Sequence, residues 1–145
     1  MRYLGLDLGD RRIGMALSDE TATLATPLPT FVRVGPRQDL RRIAELVRVH
    51  RAAGVVVGLP LNMDGSRGEQ AEKVLGFCEA LRARTSVPVL AQDERLTTVE
   101  AEEILASRGI PRRDRKARVD ALAATLILQE YLDHRRAHCA DSSSS

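Results

Sequence analysis

Short apolar segments alternate with longer stretches of helical periodicity along this chain. Residues 2–8 and 13–18 are short and apolar, and the glycine-containing turn between them predicts a hairpin. Residues 23–33 predict a third strand. Because Pro27 and Pro29 cannot donate hydrogen bonds to a β-ladder, we expect this strand at an edge of the sheet.

The middle of the chain combines strands with helices. Apolar residues recur at helical spacing from Leu40 to about residue 53, and Gly54 is expected to end that helix. Residues 55–59 form a continuous apolar run, which is typical of a strand buried on both faces. Residues 87–91 predict a further strand of the same kind.

Three more helices are predicted, two of them from capping boxes. Ser66 and Thr97 each stand three residues before a glutamate, the spacing in which a side chain caps a helix N-terminus. The first of these helices covers residues 71–81, and the second ends near Gly109. A last helix is predicted over residues 118–134.

This order of elements, β-β-β-α-β-α-β-α-α, predicts an α/β fold. We expect a mixed five-stranded sheet, antiparallel over its first three strands and parallel over the fourth and fifth, with helices on both faces. The chain has 145 residues, the size of one domain. We place that domain at residues 1–138 and expect the Ser-rich residues 139–145 to form a disordered tail.

Composition excludes several classes of protein. Hydrophobic residues make up 43% and charged residues 29%, which is typical of a globular chain. No apolar stretch reaches the roughly 18 residues of a membrane span. Cys78 and Cys139 lack neighbouring His or Cys residues, so neither a disulfide framework nor a zinc site is indicated. The N-terminus shows no secretion signal, and we expect a cytoplasmic protein.

The charge is nearly balanced, with a net value of +2, but its distribution is uneven. Residues 108–118 carry six basic side chains and one acid. This segment, together with Arg11 and Arg12, could hold a phosphate backbone or form a solvated surface. Aromatic residues, at 3%, are too few for a row of base-stacking platforms.

Acidic residues stand at positions where acids are usually rare. Asp7 lies inside the apolar first strand, and Gly5, Gly9 and Gly14 leave its surroundings open to a ligand. Asp93 and Glu94 follow the last predicted strand, where ligands bind in open α/β sheets. Alternation along a strand leaves open which of these two carboxylates faces the site.

A further acid, Asp120, begins the last predicted helix. It shares a face with small and apolar residues that should pack on the sheet, although the helix dipole alone could explain an acid there. Converging carboxylates repel one another unless a cation neutralises them. Oxygen ligands without His or Cys favour Mg²⁺ or Mn²⁺, and two such ions about 3.5–4 Å apart are typical of phosphodiester hydrolysis.

Four segments, in the same order, resemble the YqgF/RuvX family of bacteria. They lie within residues 4–132 and read LGLDLGDRRIGMALSD, VGLPLNMDGSRG, DERLTT, and RKARVDALAA followed by ILQEYL. The resemblance implies an RNase H-like fold and a metal-dependent nuclease, a hydrolase, that matures the 5′ end of 16S ribosomal RNA. Because the fold is shared with RuvC, it also implies a possible Holliday-junction resolvase.

The resemblance assigns roles by position. The acids of the family fall on Asp7, Glu94 and Asp120, which are therefore predicted to be catalytic and to bind two Mg²⁺ or Mn²⁺ ions; this match selects Glu94 over Asp93. Independently of the resemblance, the capping residues and basic side chains suited to phosphate predict the substrate-binding residues, namely Arg11, Arg12, Ser66, Arg95, Thr97, Arg115, Lys116 and Arg118.

Three functions remain open at this point. The first is an endonuclease acting on structured RNA, a pre-16S ribosomal RNA or pre-ribosome. The second is a resolvase of four-way DNA junctions, whose paired cuts need a dimer of matched geometry. The third is an RNA-binding or ribosome-binding factor without catalysis. The sequence does not decide between a monomer and a homodimer.

Overall fold

The computed structural model describes the backbone of residues 1–94 and 97–143, and their side chains except at 97–100, 102, 112–117 and 138–143. Within these ranges no helix is long and apolar enough to cross a membrane. The elements in chain order are β1 (Arg2–Leu8), β2 (Arg12–Ser18), β3 (Ala25–Val32), α1 (Pro36–Val49), β4 (Ala52–Leu59), α2 (Glu69–Arg82), β5 (Val89–Asp93), α3 (Thr97–Ser107) and α4 (Arg112–Ser143).

The strands form one mixed sheet in the order β3-β2-β1-β4-β5. β1 pairs antiparallel with β2, and β2 pairs antiparallel with β3. β1 and β4 are parallel, as are β4 and β5. The predicted mixed sheet is therefore confirmed, and the proline-containing β3 lies at an edge as expected.

Helices cover both faces of this sheet. Because successive strand residues point to opposite faces, β4 contributes to two cores. Val55 and Val57 pack with α1 and α2, whereas Val56 packs with α4. The described side chains of α3 belong to neither core; of these, Ala101 and Leu105 pack against α4 in a third, smaller cluster.

The carboxyl-terminal end of α1 differs from the prediction. α1 ends at Val49 rather than near residue 53, because Arg51 has a left-handed φ of 52° that breaks the helix. Gly54 therefore does not end the helix; it lies inside β4, where its missing Cβ leaves room for the Tyr3 ring.

The predicted Ser66 cap of α2 is wrong. The residue before α2 is Gly68, and no side chain caps this helix N-terminus. Instead, the backbone N–H and the hydroxyl of Ser66 both donate to Asp64 Oδ1, at 2.9 and 2.6 Å. Since the hydroxyl is used within its own loop, it cannot reach the helix.

α4 begins at Arg112, directly after Pro111, and not at residue 118 as predicted. Asp120 is therefore more than two turns inside the helix, too far from its N-terminus for the dipole to explain an acid there. The helix also includes residues 139–143, which were predicted as part of a disordered tail; residues 137–141 contain no glycine or proline to stop it. Residues 144–145 lie outside the described residues.

Candidate active site

The first acid, Asp7, lies near the carboxyl end of β1. It shares the α4-facing side of the strand with Tyr3 and Gly5, because alternate residues point to the same face. In the antiparallel register its partner on β2 is Gly14. Its side chain is half-buried, so that a carboxylate here loses part of its hydration.

Glycines allow α4 to approach this part of the sheet closely. A Cβ on Gly14 would lie 2.0 Å from the backbone oxygen of Asp120, and a Cβ on Gly5 would lie 2.8 Å from Leu128 Cβ. Only residues without a side chain permit such contact. Since Gly14 pairs with Asp7, the close approach places Asp120 beside Asp7.

The third acid, Glu94, follows β5 directly. Its backbone N–H donates to the carbonyl oxygen of Leu59 at 3.1 Å, which fixes it at the carboxyl end of β4. Its carboxyl group fills the space left by the missing Cβ of Gly58. A Cβ at this position would lie 2.8 Å from both Glu94 Cδ and Glu94 Oε2, and 2.5 Å from Ile127 Cδ1. The glycine thus provides the pocket for this carboxyl group.

The carboxyl groups of Asp7 and Glu94 are close neighbours, and their protonation is linked. Burial, followed by the charge of Asp7, raises the pKa of Glu94 to about 8. Burial, followed by the charge of Asp120, raises the pKa of Asp7 to about 6. Two neighbouring carboxyl groups out of water cannot both ionise easily, so the pair retains a proton.

Of the two acids at the end of β5, Glu94 lies beside Asp7, and the charge of Asp93, the last residue of the strand, further raises the pKa of Glu94. Burial raises the pKa of Asp120, and the positive charge of Arg12 lowers it. The structure thus brings together Asp7, Glu94, Asp120 and Arg12 at the carboxyl end of the central strands.

One polar atom of this cluster has no partner. Glu94 Oε2 is buried and makes no hydrogen bond with any described residue. Among those residues, no three His, Cys, Asp or Glu side chains are already placed to hold one metal ion. A buried carboxylate oxygen without a donor nevertheless fits a divalent cation, because a hard cation prefers oxygen ligands and would offset the repulsion within the pair.

A buried ion pair holds the turn between β1 and β2. It was not predicted from the sequence. Arg33 Nε lies 3.1 Å from Asp39 Oδ2, and Arg33 Nη1 donates to the carbonyl oxygen of Gly9 at 3.0 Å. The N–H of Arg33 donates to Arg11 O at 2.8 Å, and Asp39, only 2% exposed, also accepts from the N–H of Val34. No local pattern predicts this pair, because six residues and an element boundary separate the partners.

The predicted substrate-binding residues are spread around the cluster. Arg11 is exposed on the β1–β2 turn, Arg12 is half-buried at the start of β2, and Arg118 is exposed on α4 two residues before Asp120. Ser66 lies in the loop after β4. Arg95 lies outside the described residues, and the side chains of Thr97, Arg115 and Lys116 are likewise not described, although their backbones begin α3 and α4.

Comparison with known sequences gives the family. The sequence profile of RuvX, described as a Holliday junction resolvase, matches residues 1–134. A protein of Desulforudis audaxviator (strain MP104C) is 51% identical over 136 residues, which cover 94% of this chain and 96% of the relative. A protein of Syntrophus aciditrophicus (strain SB) is 51% identical over 133 residues, covering 92% and 89%. Both are named "putative pre-16S rRNA nuclease".

Comparison with solved structures gives the fold. Thermus thermophilus RuvC, in complex with a Holliday junction substrate, superposes with a TM-score of 0.58 at 23% identity, covering 94% of this chain and 96% of that one. A fowlpox virus resolvase, bound to Holliday junction DNA, gives a TM-score of 0.59 at 10% identity, covering 92% and 98%. The expected RNase H-like fold is confirmed. The chain belongs to the RuvX family of Holliday junction resolvase-like nucleases.

Proposed function

We propose that this chain is a divalent-metal-dependent endonuclease that hydrolyses phosphodiester bonds near the 5′ end of pre-16S ribosomal RNA, in the cytoplasm. The observation that carries the proposal is the half-buried Asp7–Glu94 pair, in which the buried Glu94 Oε2 has no partner among the described residues. Such an arrangement is unfavourable for folding unless a ligand binds to it. Neighbouring carboxyl groups with strongly raised pKa values are typical of functional sites.

The ligand that fits this pair is a divalent cation. Because the pKa of Glu94 is raised to about 8, this side chain keeps its proton near neutral pH when no cation is present. Asp7 and Glu94, completed by Asp120, would hold Mg²⁺ or Mn²⁺ and release that proton. When bound, two such ions supply an activated water and stabilisation of the leaving oxygen.

The other residues of the site would position the substrate. Arg12 lies where its charge acts on Asp120, so its guanidinium is placed to contact a phosphate beside the carboxylates. Arg33 and Asp39 hold the turn that carries Arg11 and Arg12, and we assign them a positioning role. Phosphate contacts of this kind orient a nucleic acid without reading its sequence.

The names of the relatives support RNA as the substrate, and the description of the family supports a second candidate. A RuvX chain acting as a resolvase would cut four-way DNA junctions in symmetric pairs, which requires a dimer with two matched active sites. The chain would then be dimeric at assay concentration. A nuclease acting on one RNA strand needs no such symmetry.

The test is cleavage by purified protein of a precursor 16S 5′-leader RNA and of a four-way DNA junction, with Mg²⁺, Mn²⁺ or EDTA. Asp7→Asn is compared with the matched control Asp133→Asn, an exposed aspartate thirteen residues beyond Asp120 on α4. We expect metal-dependent cleavage of the RNA, reduced at least about 100-fold in Asp7→Asn and unchanged in the control.

Paired cutting of the junction alone would transfer the proposal to the resolvase. Wild-type cleavage rates in Asp7→Asn would contradict the assignment of the site to these carboxylates. Folding of each variant is checked by circular dichroism, so that a loss of activity is not confused with unfolding.

A further inference from the structure

A cavity lined by arginines lies at the opposite end of the sheet from the carboxylates. It has a volume of about 620 Å³ and is formed by the last turns of α1, the start of β4 and the segment before β5. Four arginines line it, namely Arg41, Arg48, Arg51 and Arg84. Its size is within the range of ligand-binding clefts.

The charges of this cavity are not balanced by the protein. Glu45 is the only acid among the lining residues, and it pairs with Arg48. The guanidinium groups of Arg41, Arg51 and Arg84 are exposed and make no hydrogen bond or ion pair within the described part of the chain. Three like charges around one cavity favour an anionic ligand.

The remaining lining suits a phosphate group. Thr85 and Ser86 bring hydroxyl donors, and small or apolar residues such as Ala52 and Val87 line the rest of the cavity. Arginine forks bind phosphate oxygens in pairs. Arg51 also has a left-handed backbone, with a φ of 52°, a conformation that residues with a Cβ seldom adopt except where function or packing requires it.

The edge strand β5 connects this cavity with the carboxylate cluster. Residues 84–87 precede β5, and Glu94 follows it directly. β5 is the last strand of the sheet, so its outer edge has no neighbouring strand. Glu94 lies seven residues after Val87. At a rise of about 3.3 Å per residue in a β-strand, this separation spans about 23 Å. At the phosphate spacing of about 3.4 Å along one strand of duplex DNA, this length corresponds to about seven nucleotides.

We propose that this arginine-lined cavity binds a backbone phosphate of the nucleic acid whose scissile bond lies at the carboxylate cluster, several nucleotides away along the β5 edge. The inference rests on the proposed function, because it takes the nuclease substrate as its ligand. The cavity contributes affinity and orientation and takes no part in the chemistry. It therefore extends the substrate-binding surface to the face of the sheet opposite α4.

The experiment measures binding of a fluorescein-labelled precursor 16S 5′-leader RNA by anisotropy, in EDTA, between 50 and 200 mM salt. Arg51→Gln and Arg84→Gln are compared with Arg37→Gln, an exposed arginine of α1 that does not line the cavity. Each cavity variant is expected to weaken binding about five- to tenfold at 0.1 M salt and to lower the slope of log Kd against log salt by about 1. Arg37→Gln should change neither quantity appreciably.

Equal Kd values and slopes for wild type and both cavity variants would overturn the inference. So would tight calorimetric binding of inorganic pyrophosphate that is lost in Arg51→Gln while RNA binding is unchanged, because the ligand would then be a free anion. The measurement needs no cleavage. A wild type that cuts no RNA would contradict the proposed nuclease, whereas weakened RNA binding by the arginine variants would still support the cavity.

Discussion

The two faces of the sheet are packed with different kinds of side chain. On the face covered by α1 and α2, the core consists mainly of large aliphatic residues such as Leu4, Leu6 and Ile43, all fully buried. On the face covered by α4, Gly14 and Gly58 replace such residues beside the carboxyl ends of β1 and β4. The first face buries mainly apolar side chains, whereas the second combines an apolar cluster with space for half-buried carboxylates.

This difference shows how one sheet separates stability from function. Burial of large apolar side chains is the main favourable term in folding, so the α1/α2 face carries most of it. The α4 face holds a carboxyl pair whose burial is unfavourable in the absence of a cation. We therefore expect substitutions on the two faces to affect stability and cleavage in different proportions.

The largest loss of stability is expected on the α1/α2 face. Ile43→Ala removes a fully buried side chain of α1 and should lower the free energy of unfolding by about 2–5 kcal/mol, through lost burial and a residual cavity. Urea titration measures this loss. At a temperature where the variant remains folded, its rate of RNA cleavage should stay within about twofold of wild type. A cleavage defect as large as that of Asp7→Asn would contradict the separation of the two faces.

A smaller loss of stability with a larger loss of activity is expected on the α4 face. Gly14→Ala would place a Cβ 2.0 Å from the Asp120 carbonyl oxygen, so α4 must move away from β2. We expect a loss of about 1–3 kcal/mol and cleavage reduced more than tenfold, because Asp120 moves with the helix. Gly76→Ala in α2 is the matched control, since its Cβ would meet no atom within 4 Å. Normal cleavage in Gly14→Ala would show that the position of Asp120 is unimportant.

The smallest expected effect is a gain of stability when the carboxyl pair is removed. The folded protein raises the pKa of Asp7 from 3.8 to about 6 and that of Glu94 from 4.5 to about 8. Between about pH 4 and 8 the folded state therefore binds more protons than the unfolded state, and the free energy of unfolding falls as pH rises.

Asp7→Asn should flatten this pH dependence and stabilise the metal-free protein near pH 8 by about 1 kcal/mol, or about 2–4 °C in Tm. Thermal unfolding in EDTA at several pH values measures it. A Tm at pH 8 that is lower in Asp7→Asn than in wild type would indicate that the carboxylate pair is stabilising, contrary to this account.

Local sequence patterns were sufficient for most of the fold. Apolar runs, helical periodicity and capping-box spacing predicted the strands and helices of the described residues, and the prolines at 27 and 29 predicted the edge position of β3. The errors occurred where tertiary contacts override local signals. Gly54 resembles a helix end but lies in β4, because pairing with β1 extends the strand; Ser66 resembles a cap but bonds within its own loop.

The candidate site was predictable only in part. An acid inside an apolar strand drew attention to Asp7, but strand alternation could not choose between Asp93 and Glu94. That choice came from the family resemblance, and in the structure Glu94 contacts Asp7. The roles of Gly14 and Gly58, and the Arg33–Asp39 pair, depend on contacts between residues distant in sequence, which no local pattern contains. A glycine near the carboxyl end of a buried strand, as at position 58, is a signal that could have been used.

The central claim is that the Asp7–Glu94 pair holds a divalent cation. The most direct measurement is a calorimetric titration of metal-free protein with Mn²⁺ near pH 7, in two buffers of different ionisation enthalpy, for wild type, Glu94→Gln and the exposed control Glu79→Gln. Wild type and Glu79→Gln should bind the ion with release of a proton, and Glu94→Gln should bind it at least about tenfold more weakly without that release. Equal affinity and equal proton release in all three proteins would contradict the account.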